Sequence, residues 1–276
     1  MNRTMVTAVN TLGQLHKQVD LIGHNLANAE TAGYKSREAS FADLMAQQIN
    51  NYSSAGSEVG RQSPLGIRQS PGARISQTAM LSKQGSLKTT GRPLDIAFTK
   101  ENQYLKVRVQ EDGTSQIRFT RNGELDIVNA GDQWVLATKD GHLVLDENDQ
   151  VITFSGKVEE VKMIQPGTLE ATMDNGQNIA FRLGVIALNK PQYLEQMGNT
   201  LLGLPDGADN NINQIYSDLN GARRQEISLQ QGVLEASNVD IGKEMTDLMA
   251  SQRSIQFQSR SITLADQMMG LVNGIR

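Results

Sequence analysis

All six prolines of this 276-residue chain lie between Pro64 and Pro205, leaving the first 63 residues and the last 71 without one. Proline removes a backbone donor and breaks helix interiors, so this distribution predicts long helices at both ends. The middle carries Asp112-Gly113, Asn122-Gly123, Asp140-Gly141 and Asn175-Gly176, pairs that accept the positive φ of tight hairpins. Between them run Tyr104 to Val109, Ile117 to Thr120, Gln133 to Ala137, Val151 to Phe154, Val158 to Ile164 and Ile179 to Leu188. Short runs about ten residues apart, separated by turn signals, read as an all-β domain. The expected class is α+β: long N- and C-terminal helices pair as a coiled-coil-like stalk, with the all-β domain inserted. The expected divisions are a helical segment at 1–50, an extended linker at 51–80, a β-rich domain at 81–225 and a closing helix at 226–276.

The N-terminal pattern is the cleanest. Met5, Leu12, Val19 and Leu26 are seven apart, and Ala8, Leu15, Ile22 and Ala29 repeat the interval three positions later. This is an a/d seam. A helix over Met5–Ala29 would be roughly 37 Å long, and one narrow stripe cannot stabilise it alone. The stripe must bury against a partner, either its own β-domain or a second helix. At the other end Ile241, Leu248, Ile255, Ile262 and Met269 are also seven apart. The accompanying series there is weak, with Met245 followed by Gln252, Ser259 and Asp266. Asp240 suits an N-cap, and Glu244 suits the positive end of the helix dipole. Further apolar residues, including Met249, Leu264, Met268, Leu271 and Val272, widen the stripe beyond one seam and predict more than one neighbour. After the first helix, Phe41, Leu44, Met45 and Ile49 predict a short second helix capped by Ser40 and Asp43. The Ser-, Gly- and Gln-rich stretch from Asn50 to Arg74 reads as linker or loop.

Chemistry is sparse. The absence of cysteine removes disulfides, thiolate metal sites and a cysteine nucleophile. A net charge of −4 gives no basis for nucleic-acid binding. No run approaches the roughly eighteen apolar residues of a membrane span, and the N-terminus lacks the apolar core of a cleavable signal. His16 and His24 lie eight apart, about 80° from each other around a helix, both on its polar side and without a carboxylate at zinc-motif spacing. Phosphate-cradling, dinucleotide and hydrolase motifs are missing. The cluster Asp146-Glu147-Asn148-Asp149 lacks the glycine and glutamate of a calcium loop and reads as a hairpin turn. Glu159 and Glu160 would face opposite sides of a strand and cannot act as an acid–base pair. No catalytic, cofactor or metal residue is expected.

Two terminal segments carry a resemblance that patterning does not supply. Asn25-Leu26-Ala27-Asn28-Ala29-Glu30-Thr31-Ala32-Gly33-Tyr34-Lys35 resembles the signature of bacterial flagellar rod and hook proteins. Leu234-Glu235-Ala236-Ser237-Asn238-Val239-Asp240, continuing through Asp247-Leu248-Met249 and Ile262 to Met268, resembles that family's closing segment. The middle is similar to the family's β-domain at Thr89 to Ala97 and at Phe119-Thr120-Arg121-Asn122-Gly123. It departs where Lys100 to Leu105 replaces a usual glycine and two phenylalanines. The likeness is thinnest from about Gly156 to Leu219, and most similar to the distal-rod and hook-basal-body group.

The resemblance implies a structural subunit, not an enzyme, located in the flagellar basal body. It implies export without cleavage through the flagellar type III apparatus, and assembly with copies of itself and other rod and hook subunits into a torque-transmitting tube. Neither nucleic acid nor a small-molecule substrate is implied. On this reading Met5, Leu12, Leu15, Val19, Ile22 and Leu26 pack against Ile241, Leu248, Ile255, Ile262 and Met269. The signature positions Asn25, Asn28, Thr31, Gly33, Tyr34, Lys35, Ser237, Asn238, Val239 and Asp240 serve the chain's turns and assembly contacts. The rival class is an exported interaction protein, such as an adhesin, cap or chaperone, forming a small closed oligomer through its helices. A wall-degrading enzyme is a third, without an acidic pair to support it.

Overall fold

A computed structural model describes residues 2–43, 47–49, 67–69, 72–111, 113–131, 133–205 and 212–274. The protein is α+β, with an N-terminal helix over Asn2–Ala27, a large β region and a C-terminal helix over Ile241–Gly274. The chain forms two compact units. One comprises Met1–Leu26, Arg37–Ala79 and Ile241–Arg276, and the other Ala27–Ser36 with Met80–Asp240.

In the helical unit, Met5, Leu12, Leu15, Val19 and Leu26 are half-buried, while Ala8 and Ile22 are buried. A second, more polar flank of the same helix is also covered. Gln14 Oε1 accepts from the Ile75 amide at 3.0 Å, and a Cβ built on Gly72 would lie 3.2 Å from Thr11 Oγ1. This flank therefore packs on the strand Ala73–Met80. The short helix expected from Phe41, Leu44, Met45 and Ile49 does not form where it can be judged. Arg37–Asp43 is a strand paired with Ala73–Met80, and Gln47–Ile49 pairs with Ile67–Gln69. Partner strands override a weak helical spacing. Leu44, Met45 and most of the stretch read as a linker lie outside the described residues.

The C-terminal helix begins at Ile241, immediately after Asp240. Its covered positions include Glu244, Leu248, Ser251, Ile255, Gln258, Ile262, Ala265 and Met269, alternating by four and three as a seam does, with Asp247 and Ser254 half-buried beside them. The second series thus falls at Glu244, Ser251, Gln258 and Ala265, not at Met245, Gln252, Ser259 and Asp266, which are exposed. Three of those four side chains are polar, which hid the series from a reading based on apolar residues. Ile241 is 50% exposed.

In the β-unit a ten-stranded sheet centres on Gln103–Glu111, flanked by Thr114–Thr120 and Val185–Leu188. A three-stranded sheet, Val158–Gln165, Thr168–Met173 and Asn178–Arg182, covers it. Leu105, Val107, Leu125, Leu136, Val144, Leu169, Leu183 and Val185 form a core with almost no exposure. Each such aliphatic side chain contributes about 1.5–3 kcal/mol on burial. Gly113, Gly141 and Gly176 have positive φ and turn hairpins as expected. Asn122-Gly123 does not: a Cβ on Gly123 would lie 1.7 Å from the Ile96 carbonyl oxygen. That glycine serves chain crossing rather than turning. The expected run Ile179 to Leu188 is interrupted at Leu183-Gly184, leaving Asn178–Arg182 and Val185–Leu188.

The first and last strands of this unit pair with each other. Ile96–Phe98 pairs with Leu229–Gln231, and Leu87–Thr89 pairs with Val233–Glu235.

Candidate functional site: a buried latch joining the two signature segments

Within the β-unit, Ala27–Ser36 meets the outgoing chain near Val233–Asp240. The Gly33 amide donates to the Glu235 carbonyl at 2.8 Å. Gly33 has φ +71°, and a Cβ there would lie 2.5 Å from the Arg121 carbonyl and the Asn122 nitrogen. A glycine following the first helix suits a positive-φ C-cap, but the helix ends at Ala27, six residues before Gly33. Close passage of the Arg121 backbone, together with the left-handed backbone, is what requires glycine here.

Glu235 is the centre of the latch. It alternates with Val233 on a strand, so its side chain enters the interior with a core residue. A buried carboxylate needs charged and hydrogen-bonded partners. Lys35 Nζ donates to Glu235 Oε1 at 2.7 Å, and Arg121 Nε pairs with Oε2. The Gly85 amide donates to Oε1 at 3.0 Å. Side-chain exposures are 4% for Lys35 and 1% for both Arg121 and Glu235. Lys35 Nζ also donates to the Lys83 carbonyl at 2.8 Å, and Arg121 Nη1 donates to the carbonyls of Glu101 and Gln103 at 2.7 and 3.0 Å. The guanidinium lies 5.8 Å from the Phe98 ring centre and 5.6 Å from that of Tyr104. Burial, then the Arg121 charge, draws the Lys35 pKa down against the pull of Glu235.

Asn238 extends the latch with a fork. Its Oδ1 accepts from the Ser36 amide at 2.7 Å, and its Nδ2 donates to the Leu81 and Lys83 carbonyls at 2.9 Å each. Tyr34 and Asn28 are buried, Ser237, Val239 and Thr31 are half-buried, and Asp240 is exposed. Thr31 Oγ1 donates to Asn28 Oδ1 at 3.2 Å.

In the helical unit, Asn25 does comparable work. Its Nδ2 donates to the Arg37 carbonyl and to Glu244 Oε1, both at 2.9 Å, while Oδ1 accepts from the Arg37 amide at 3.1 Å. Asn25 is thus a local fold residue with both chain ends among its partners. Burial raises the Glu244 pKa, and the Asn25 hydrogen bond opposes that rise.

Of the signature positions, Gly33 and Lys35 are brought to Glu235 and Asn238 to Ser36, whereas Asn25 bonds Arg37 and Glu244 in the helical unit and Asp240 is exposed; sequence reasoning did not single out Glu235 and Arg121. The available signal was a glutamate at the inward register of an apolar strand, which demands a cation elsewhere. Among the described residues no group of His, Cys, Asp or Glu is placed to hold a metal ion.

Both ends of the chain match family descriptions. Residues 5–35 match flagella basal body rod protein, and residues 230–275 match the flagellar basal body rod FlgEFG protein C-terminal region. The flagellar hook-basal body complex protein FlhP of Bacillus subtilis is 42% identical over the whole of both chains. The chain belongs to the flagellar rod and hook-basal-body family. The flagellar basal-body rod protein FlgG of Bacillus subtilis is 28% identical over 98% of this chain and 97% of its own. FlgG of Borreliella burgdorferi is 28% identical over 100% and 99%. As a member of the rod and hook-basal-body family, the protein has a structural role in the flagellar basal body and is not an enzyme. The two family segments, far apart in sequence, meet at Gly33, Lys35 and Glu235.

Proposed function

We propose that the protein is a self-assembling subunit of the distal rod or rod–hook region, exported uncleaved by the flagellar type III apparatus. Its copies stack with other rod and hook subunits into a helical tube that passes motor torque outward. In this reading the two terminal helices pair along their heptad seams. Met5, Leu12, Leu15, Val19, Ile22 and Leu26 face Leu248, Ile255, Ile262 and Met269, while Ile241, half exposed at the start of the helix, stands outside the covered seam; the helical and β segments act as one inserted-domain subunit.

The observation that carries the proposal is the apolar surface left over on the C-terminal helix. Met245, Met249, Phe257, Leu264, Met268, Leu271 and Val272 are between 41% and 70% exposed. At roughly 100° per residue, Ile241, Met245 and Met249 lie on one flank of the covered seam. Phe257, Leu264, Met268 and Leu271 lie on the other. Two apolar flanks at different heights support two different neighbours, the heterologous contact from which open helical polymers grow.

The test is Leu264→Glu in the native chromosomal context, with the tagged protein followed into purified basal bodies. The expected result is a soluble, folded protein, cells without motility and basal bodies lacking the subunit. Normal motility with the variant incorporated would overturn the reading. Tagged wild-type protein found outside the distal rod and hook junction would overturn the assigned position.

A further inference from the structure

The latch carries an unbalanced charge. Lys35 and Arg121 contribute two positive charges and Glu235 one negative, all with side-chain exposures of 4% or less. The next carboxylate acting on Lys35 belongs to Glu101, an exposed residue. Donors are also left over. The Tyr104 hydroxyl and Arg121 Nη2 are buried without a hydrogen-bond partner among the described residues. Lys35 Nζ spends two of its three protons on the Lys83 carbonyl and Glu235.

Beside Lys35 and Tyr104 lies a small cavity of about 10 Å³, lined further by Gln196, Asn199 and Thr200 and, on its apolar side, by Met80 and Leu202. That is close to the volume that accommodates one water-sized guest. Every polar side chain in this set can donate a hydrogen bond. A water would satisfy donors but leave the buried charge unbalanced, and an unbalanced buried charge is costly. The Tyr104 phenol does not supply the missing negative charge, because burial pushes its pKa up to about 12; at neutral pH it is a donor.

We propose that this cavity is a binding site for one halide-sized monovalent anion, which accepts from the Tyr104 hydroxyl and the remaining Lys35 proton. The ion neutralises the latch that fastens the two signature segments. A ligand that binds only the folded state raises apparent stability with its concentration, so occupancy is readable by unfolding.

The full chain, purified without halide, is melted in sodium chloride and in sodium methanesulfonate at matched ionic strength. The expected result is a saturable rise of several degrees in Tm in chloride alone. Tyr104→Phe, which keeps ring and packing, is expected to lose the chloride-specific part while retaining the wild-type far-ultraviolet dichroism. Identical melting in the two salts, or an unchanged chloride effect in Tyr104→Phe, overturns the proposal. As an independent readout, crystals grown in sodium bromide should show an anomalous peak within hydrogen-bond distance of Tyr104 Oη and Lys35 Nζ. Density without anomalous signal identifies a water and overturns the site. A bromide peak with no chloride effect on melting is an adventitious ion and does the same.

Discussion

Gly33 and Gly91 have nearly the same backbone, φ +71° and +72°, but different surroundings. Nothing lies within 4 Å of a Cβ on Gly91, whereas one on Gly33 would meet the Arg121 backbone at 2.5 Å. Gly91→Ala should therefore cost only the left-handed backbone term, about 1–2 kcal/mol. Gly33→Ala should add the displacement of a strand end, bringing the loss to about 3 kcal/mol or more. Denaturant unfolding of the two variants separates the contributions. Glu235→Ala leaves two buried cations facing each other and should cost about 3–5 kcal/mol. Adding Lys35→Met to that variant should recover part of the loss, and a double-mutant cycle measures how much. Glu244 works in the opposite sense. Its folded pKa lies above its unfolded one, so the folded chain binds more protons between the two values. Stability is then greatest below the unfolded pKa and declines as pH rises through the folded pKa, leaving the burial cost in full at neutral pH. Glu244→Gln keeps an acceptor for Asn25 without the charge. Its Tm should exceed wild type at neutral pH, and the gain should vanish on acidification to about pH 4.

At the level of elements, the C-terminal helix separates fold from assembly. Leu248, Ile255 and Ile262 lie in the covered seam, while Leu264 and Leu271 are 58% and 70% exposed. Leu271→Glu should change the unfolding free energy of the isolated chain by no more than about 0.5 kcal/mol. Ile255→Glu puts a charge into the half-buried seam and should destabilise the helical unit by several times that amount. Thermal unfolding of both variants checks the contrast. Legibility followed the same division. Helices were readable where proline was absent and apolar residues recurred, and hairpins were readable at Gly113, Gly141 and Gly176. The polar half of the C-terminal seam was not, because Ser251 and Gln258 carry no apolar signal. Nor was the strand Arg37–Asp43, whose conformation is set by its partner Ala73–Met80. Asn122-Gly123 was misread because the same glycine chemistry serves turns and close crossings. The candidate latch was half legible: Lys35, Gly33, Glu235 and Arg121 all stood in family-like segments, but the pairing of Arg121 and Lys35 with Glu235 acquires meaning only when folding brings them together.

For the molecule as a whole, the β-unit is an insertion closed by its own ends, with Leu87–Thr89 against Val233–Glu235. A chain ending at Gly232 would lack the strand Val233–Glu235, the carboxylate of the latch and the Asn238 fork. Its Lys35 and Arg121 would remain as a pair of like charges. Such a truncation should therefore lack cooperative unfolding of the β-unit, as scanning calorimetry would show, although most of the core residues are present. The latch also has a consequence in time. Lys35 and Glu235 are 200 positions apart, and contacts that close so long a loop form late. However quickly the individual hairpins form, neither signature segment can settle until residue 235 is free to arrive. The closing segment is thus a timer as well as a fastener, and completion of the subunit waits on the far end of its own chain.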